Sequence, residues 1–456
     1  MTRSQRVLAI GLVLGVTLVA FETTAVITAL PTITDDLGGD SLYGVTLAAY
    51  TLANLVALVA AGELADRHGP AKPYFFSILV FIGGLVVAAA APTMAVVVLG
   101  RVLQGAGSGA FGTIAYLLIK RAFPDESQAR MYAIVSAGWV LPSLLAPAIA
   151  GTITDHLGWR WVFLTIIPLA MLVGGLALRP MAAFGRSGVA DGTPSRIPFA
   201  LGAALGIGAL VTGLQFANPI AAVTSSVVGV IAAVHFLRRL FPTGVGRARR
   251  GFPAIVSCRM LATATFLGVD SFVPLAADRI HGASARVQGF VIIGSACTWT
   301  LGQWFMARHP NISPRRGVFT GFALLLTGIV LVSPVLHEGW PLWATFLSWS
   351  VGGLGMGLLF NPTTVAAMSY AEPGREGLVG GQVSLADAVG FSLMGGVGGA
   401  MVALADRTSL NLTTALATNF TIAAVLACVG MVASRGVQRA GVGSPAAAAV
   451  IGAPAV

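Results

Sequence analysis

The chain is a succession of apolar segments that are each long enough to cross a lipid bilayer. A membrane-spanning helix needs about 20 apolar residues, and the 456-residue chain is 56% hydrophobic and only 10% charged, against about a quarter charged in soluble proteins. Backbone polar groups in hydrocarbon must be satisfied within the segment, which favours helices. The sequence therefore predicts an all-α polytopic membrane protein with fourteen spans, at residues 7–30, 42–65, 73–91, 93–119, 130–153, 159–179, 197–216, 219–237, 253–276, 286–306, 317–336, 341–368, 378–404 and 412–434.

The basic residues predict the orientation of these spans. An even number of spans places both termini on one side of the membrane, and arginines concentrate in the connectors of that same side. Because cytoplasmic loops carry the excess of arginine and lysine, we expect both termini in the cytoplasm, with the protein in a bacterial cytoplasmic membrane. The basic residues form short clusters between apolar segments, and this distribution argues against nucleic acid as a partner. The first apolar segment is interpreted as a retained span.

The sequence predicts that the spans form two halves with an insert between them. We expect an N-terminal six-helix bundle at 1–183, a two-span insert with cytoplasmic connectors at 184–251, a C-terminal six-helix bundle at 252–436 and a disordered, alanine-rich tail at 437–456. Glycines lower the hydrophobicity of the seventh span, and almost no loop separates it from the eighth. Twelve spans with a folded linker is the alternative.

A short charged loop follows the second span, with the sequence GELADRHGPAK from Gly62 to Lys72. It resembles the signature loop between spans 2 and 3 of the major facilitator superfamily of secondary transporters. The resemblance implies a gating loop made of Gly62, Asp66, Arg67, Gly69 and Lys72. Asp66 is expected just after a helix end, in a charge network that stabilises the outward-facing state, and the alternative is that the loop only sets membrane topology.

Further motifs resemble the fourteen-span drug:proton antiporter branch of that superfamily. GRVLQGAGSGA in span 4 is similar to its arginine motif and includes Gln104 and Gly105, while APAIAG in span 5 is similar to the antiporter motif and includes Pro147 and Gly151. Two alanines replace glycines of the second motif. The remaining similar segments are FETTAVITALPTI, WRWVFLTIIP and GGLGMGLLFNPTT. The resemblance implies two six-helix bundles that rock around a central cavity, with the two-helix insert between them.

Ionisable residues inside spans are costly and are by default functional candidates. Glu22 lies about 22 Å into span 1 from the cytoplasm, and Arg101 lies about 12 Å into span 4 from the other side, at 1.5 Å per residue. Burial disfavours a charged carboxylate and a nearby arginine favours it, so a changing distance between them could switch proton affinity. We expect Glu22 to be the exchanged proton site and Arg101 to modulate it; a static structural pair is the alternative.

Two acids in the C-terminal half extend the candidate proton-coupling set. Asp270 in GVDSFVPLA has a position like that of Glu22 in FETTAVITALP, as expected for repeated halves that build one site. Asp387 lies deeper in its span. For Asp270 a hydrated residue without a role is the alternative, and for Asp387 the alternative is a structural group.

The sequence thus predicts a proton-coupled exporter of amphiphilic small molecules, such as drugs or metabolites. A facilitator or symporter that imports a nutrient is the alternative. We expect no enzyme, because no catalytic histidine spacing is found, and no cofactor, because no phosphate-binding loop is found. The three cysteines are too scattered for a metal site. The expected partners are a small-molecule substrate, protons and the lipid bilayer.

Overall fold

The computed structural model describes residues 1–38, 42–185, 194–213, 218–283, 285–407 and 410–440, and all regular structure within them is helical. The helices are α1 (Arg3–Leu37), α2 (Tyr43–His68), α3 (Ala71–Ala89), α4 (Met94–Ala122), α5 (Asp125–Ala137), α6 (Val140–Leu157), α7 (Arg160–Met181), α8 (Ile197–Gly213), α9 (Pro219–Leu240), α10 (Phe252–Asp270), α11 (Val273–His281), α12 (Ala285–Arg308), α13 (Pro314–Val332), α14 (Leu342–Met368), α15 (Glu376–Arg407) and α16 (Leu412–Ala433). The predicted all-α class is confirmed.

Within the described ranges, twelve helices are long and apolar enough to cross a membrane. Two predicted spans fall outside this set. The predicted span 130–153 is divided into α5 and α6. The predicted span 197–216 overlaps α8, an apolar helix of 17 residues, and its positions 214–216 lie outside the described residues. The structure therefore supports a multi-pass membrane protein, and the predicted count of fourteen spans is not confirmed.

The break between α5 and α6 follows from a proline. Pro142 has no N–H and cannot bond the carbonyl four residues earlier, which belongs to Gly138. The hydroxyl of Thr17 in α1 donates to that carbonyl over 3.1 Å instead. A neighbouring helix therefore satisfies the backbone group that the proline leaves free, as the membrane interior requires.

Many large apolar side chains remain exposed in this fold. On α8 and α9, for example, Leu205 is 74% and Ile220 is 77% exposed. Large apolar side chains exposed in this way are stable against lipid tails, so the exposure pattern agrees with a chain embedded in a bilayer.

The chain divides into two compact units. Unit 1 contains residues 1–212, 229–240 and 371–384, and unit 2 contains residues 213–228, 241–370 and 385–456. The predicted tail falls outside the described residues from position 441 onward. Before that point the chain is packed, since Val437 is buried and the backbone N–H of Ala440 donates to the Ser369 hydroxyl over 3.1 Å.

Close backbone approach between α2 and α4 depends on Gly105. A Cβ atom at this position would lie 2.2 Å from the carbonyl oxygen of Tyr50, far inside van der Waals contact. Small residues at helix interfaces allow such approach in membranes, where dispersion contacts between helices replace the hydrophobic effect. Gly105 therefore fixes the position of Tyr50 beside α4.

We expect Gly105→Ala to destabilise the protein by about 1–3 kcal/mol, because the added methyl group meets backbone rather than a movable side chain. Gly112→Ala on the same helix is the control, since a Cβ there has no neighbour within 4 Å. Thermal unfolding of the purified variants in detergent measures both. Equal melting temperatures for the two variants would contradict the packing role of Gly105.

Candidate functional site

Glu22 and Arg101 form an ion pair inside unit 1. The Arg101 Nη1 atom donates to the Glu22 Oε1 atom, which links α4 to α1. The arginine side chain is 1% exposed and the glutamate side chain is 0% exposed. The structure therefore brings together the two residues that the sequence predicted as a proton site and its modulating charge.

Arg101 has further partners around this pair. Its Nη1 atom also donates to the Gln104 Oε1 atom over 2.6 Å, and the guanidinium lies over the Tyr50 ring, 4.2 Å from the ring centroid. Cation–π contact of this kind stabilises a desolvated guanidinium by about 2 kcal/mol. The charge of Arg101 is thus held by an acid, an amide and an aromatic ring.

Polar atoms of this cluster remain unsatisfied. Among the described residues, the Arg101 Nε atom and the Gln104 Nε2 atom are buried and have no hydrogen-bond partner. Buried donors without partners cost about 1–3 kcal/mol each, and they tend to occur where a network changes partners during function. The group of Glu22, Arg101, Gln104 and Tyr50 therefore has two unused hydrogen-bond donors beside the Glu22 carboxylate.

A second buried ion pair lies in unit 2. The Nε atom of Arg259 in α10 donates to the Asp387 Oδ1 atom in α15 over 3.0 Å, and its Nη2 atom donates to Oδ2. This two-point contact is the strongest geometry that arginine and carboxylate adopt. The arginine side chain is 0% exposed and the aspartate side chain is 23% exposed.

The sequence prediction named Asp387 and missed Arg259. The signal was present, since Arg259 is a charged residue seven positions into the apolar segment 253–276. Its Nη1 atom donates to the Phe360 carbonyl over 3.1 Å and to the Thr364 hydroxyl over 2.9 Å, and its guanidinium lies 3.4 Å from the Phe360 ring centroid. These partners belong to the segment GGLGMGLLFNPTT, which resembles the antiporter branch and for which the sequence predicted no role.

Asp270 is placed differently from both pairs. Its Oδ1 atom accepts from the Trp349 indole N–H over 2.7 Å and from the Ser295 hydroxyl over 3.0 Å. No basic side chain of the described chain lies within ion-pair distance of it. Neutral donors hold this carboxyl, in place of an arginine.

Aromatic rings connect the surroundings of Asp270 with those of Arg259. Trp349 stacks on Phe266 with ring centroids 5.3 Å apart, and Phe266 meets the edge of Trp299 at 5.1 Å. Trp299 in turn meets Phe360 at 5.3 Å. A chain of packed aromatic rings thus extends from Trp349, which donates to Asp270, to Phe360, which lies against Arg259.

Asp66 lies on the last turn of α2, which continues to His68; the expectation that it follows the helix end is wrong. Its carboxylate accepts backbone N–H groups of Gly377 over 2.9 Å and Leu378 over 2.8 Å. These belong to the first turn of α15, where the helix dipole favours an acid. Arg121 bridges Asp66 at 3.2 Å and Glu376 at 2.7 Å.

Gly62 makes this contact sterically accessible. A Cβ atom on it would lie 2.3 Å from the Gly377 carbonyl oxygen. The remaining predicted loop residues are outside the cluster's centre: Arg67 pairs with Glu63 at 3.0 Å, Gly69 ends α2 with φ of 81°, and Lys72 is exposed at the start of α3. The sequence missed Arg121 and Glu376, which motif spacing alone could not place beside Asp66.

The predicted span 5 motif is loosely packed at Pro147 and Gly151. Pro147 is exposed within α6, and a Cβ atom on Gly151 would have no neighbour within 4 Å. In the described conformation these two residues do not join either ion pair, unlike Gln104 and Gly105 of the span 4 motif.

Comparison with known proteins establishes the family. A family model described as Major Facilitator Superfamily matches residues 12–399. The chain belongs to the major facilitator superfamily. The predicted family is thereby confirmed. The members of this family are transporters.

Relatives and solved structures agree with this membership. Multidrug resistance protein 3 of Bacillus subtilis is 26% identical over 415 residues, which cover 86% of this chain and 78% of that protein. A probable multidrug-efflux transporter of Mycobacterium tuberculosis is 28% identical over 444 residues, which cover 92% of each chain. The human organic anion transporter MFSD10 (TETRAN) has the same fold with a TM-score of 0.72, at 14% identity, over 95% of this chain and 100% of its own.

The ion pair of unit 2 can be tested by a double-mutant cycle on this transporter-family protein. We expect Arg259→Met or Asp387→Asn alone to cost about 3–5 kcal/mol, because each leaves a buried group without its partner. The double variant should cost less than the sum of the two. Thermal unfolding measures all three.

Arg160 and Asp36 provide the matched control pair. Their side chains are 44% and 51% exposed and lie 3.2 Å apart, so the same cycle should give a coupling close to zero, as is typical of exposed ion pairs. A coupling at Arg259 and Asp387 no larger than that of the control would contradict the buried pair.

The contact between Asp66 and α15 can be tested by amide exchange. We expect Asp66→Asn to speed exchange in the peptide that contains Gly377 and Leu378 by about tenfold or more, because charge-assisted hydrogen bonds are lost. Hydrogen–deuterium exchange with mass spectrometry measures it. Asp125→Asn is the control, since Asp125 is 84% exposed and pairs only with Lys120 among the recorded ion pairs; similar exchange in both variants would refute the contact's role.

Proposed function

We propose that this chain is a proton-coupled secondary transporter that exports amphiphilic small molecules by alternating access. The observation that carries the proposal is the fully buried ion pair of Glu22 and Arg101. A proton and a guanidinium compete for the same carboxylate, so protonation of Glu22 releases Arg101 and deprotonation recaptures it. The pair is therefore suited to couple proton binding to a structural change.

The surroundings of Arg101 support an exchange of partners. When Glu22 is protonated, the Gln104 Oε1 atom and the Tyr50 ring remain beside the guanidinium and hold its charge. The Glu22 carboxyl then keeps the Thr23 hydroxyl nearby, at 3.5 Å. Each protonation state of Glu22 thus has partners for both groups, which keeps either state from leaving a bare charge in the membrane.

Asp270 and Asp387 extend the proposed proton-coupling set in unit 2. Asp387 repeats the carboxylate–guanidinium arrangement with Arg259, while Asp270 is held by neutral donors. A carboxyl without a cationic partner retains a proton more readily than one beside arginine. We assign Asp387 to exchange with Arg259 and Asp270 to a proton-holding or cation-binding role.

The Asp66 cluster is proposed as the gating element. Arg121, Asp66 and Glu376 connect α2 and α4 with the first turn of α15, and Asp66 adds two backbone hydrogen bonds. Such a cluster stabilises one conformation of the carrier and must open in another. The predicted network at this loop is thereby extended by two residues.

The finer organisation follows the sequence prediction. Fourteen spans result if α8 and the interrupted pair α5 and α6 each cross the bilayer, and both termini then lie in the cytoplasm of a bacterial cell membrane. We retain the predicted division into two six-helix bundles and a two-span insert. The substrate class is supported by the relatives, which are named for multidrug resistance and multidrug efflux.

The alternative function is import of a nutrient by a facilitator or proton symporter. The observation that favours it is the altered motif APAIAG, in which Ala146 and Ala150 replace glycines and Pro147 is exposed. This motif is the part of the resemblance that implies antiport, so its loss weakens the export direction without affecting the fold.

The first test uses inverted vesicles with an acidic interior, to which amphiphilic cations or neutral lipophiles are added. We expect a substrate-triggered rise of the interior pH in wild type, because protons leave as substrate enters. Glu22→Gln should abolish this rise, since the amide cannot exchange a proton. A pH-sensitive dye inside the vesicles measures it.

Glu22→Asp is the matched variant, because it keeps the carboxyl and shortens the side chain by one methylene. We expect it to retain part of the response. A Glu22→Gln protein that still acidifies the outer solution on substrate addition would exclude Glu22 as the proton site. Substrate uptake without any proton movement in wild type would favour the facilitator.

A further inference from the structure

A cavity of about 600 Å³ lies within unit 2, and no residue of either ion pair lines it. It is bounded by the loop before α10, the first half of α10, the first turn of α13 and the end of α16. Its lining residues include four arginines, Arg247, Arg250, Arg315 and Arg435.

The charge of this cavity is not balanced by acids. All four arginine side chains belong to exposed residues, and none of them forms an ion pair with an acid of the described chain. Four guanidinium groups around one cavity repel one another unless an anion joins them. Charge complementarity therefore calls for an anionic occupant.

The other wall of the cavity is apolar. Met260 and Leu261 of α10 and Val429 and Val432 of α16 line it. Met260 lies eight residues into α10, or about 12 Å along the helix axis at 1.5 Å per residue. Val429 is 48% and Val432 is 60% exposed, as expected for residues that contact lipid tails. The cavity thus extends from a basic surface toward the hydrocarbon.

The basic rim is held in place by backbone structure. Ala248 adopts a left-handed conformation with φ of 44°, and the Gly244 carbonyl accepts from the N–H groups of both Arg247 and Arg249 over 3.1 Å. The Ser257 hydroxyl donates to the Val245 carbonyl over 2.6 Å. A non-glycine residue in this conformation costs free energy, so the surrounding contacts define one arrangement of this loop.

A backbone hydrogen bond joins the rim to the end of α16. The Gly251 N–H donates to the Gly436 carbonyl over 2.9 Å, next to Arg435. The backbone segments that carry Arg250 and Arg435 are therefore joined beside the same opening.

We propose that this cavity binds one anionic phospholipid of the adjoining leaflet. The arginines bind the phosphodiester headgroup, and one acyl chain lies along Met260, Leu261, Val429 and Val432. A free phosphate would use only the rim, and a zwitterionic lipid would bring a fifth cation into a cavity that already has four. The shape and charge together favour a singly anionic lipid such as phosphatidylglycerol.

The test measures thermal unfolding of the full-length protein in neutral detergent after removal of bound lipid. Dihexanoyl-phosphatidylglycerol, dihexanoyl-phosphatidylcholine and inorganic phosphate are titrated separately. We expect saturable stabilisation by phosphatidylglycerol, because a ligand that binds the folded state raises the melting temperature. Arg315→Gln with Arg435→Gln should weaken its binding by about thirtyfold, from the contribution of two arginines at a membrane surface.

The matched control is Arg316→Gln with Arg439→Gln, which removes the same charge from exposed neighbours that do not line the cavity. We expect its binding to stay within about twofold of wild type. Equal weakening in both double variants would overturn the proposal in favour of general surface charge. Equal stabilisation by the two lipids would overturn headgroup recognition.

A further variant tests the apolar wall. Val432→Trp fills the lipid side of the cavity from an exposed position, and we expect it to weaken phosphatidylglycerol binding with all four arginines retained. Gel filtration checks that each variant is folded. Stabilisation by inorganic phosphate equal to that by the lipid, and insensitive to Val432→Trp, would show a site for free anions instead and overturn the lipid assignment.

Discussion

The fold depends on how charged groups are accommodated where water is absent. An isolated charge in hydrocarbon costs several kcal/mol, yet four of the candidate residues carry charge within the helices. Two arginines and two acids offset this cost by forming ion pairs, Glu22 with Arg101 and Asp387 with Arg259. The pairs fix which helix faces which, because a helix rotated away from its partner would leave a bare charge.

Close helix contact is what makes such pairing geometrically accessible. The backbone of α4 approaches α2 at Gly105, and this approach places the Tyr50 ring against the Arg101 guanidinium. The same principle operates at Gly62, whose missing side chain lets Asp66 reach the first N–H groups of α15. Glycine and charge therefore act together. A glycine lets two helix backbones come close, and a charged side chain nearby makes the polar contact that this close approach allows.

Sequence patterns were sufficient for the all-helical class, for both members of the Glu22 and Arg101 pair, and for one member of the contacts at Asp387 and Asp66. Segment length and hydropathy predicted the membrane class, and the cost of intramembrane charge singled out Glu22, Arg101, Asp270 and Asp387. Partners from distant positions were missed: Arg259 was overlooked inside its apolar segment, and Glu376 lies 310 residues from Asp66 in sequence. Which residues face each other is decided by tertiary packing, and a hydropathy pattern carries no information about it. The interrupted span shows the same limit, since Pro142 predicts a free carbonyl but not that Thr17 will satisfy it.

The two ion pairs differ in the exposure of their carboxylates, and this difference has a consequence for any exchange of protons. The Glu22 side chain is fully enclosed, whereas the Asp387 side chain is 23% exposed. A proton needs a hydrogen-bonded path, and in the described conformation Glu22 is the more enclosed of the two acids. The continuous helix α15 carries Asp387 and, ten residues earlier, the Gly377 amide that Asp66 binds. One helix therefore takes part in both the Arg259 contact and the Asp66 contact.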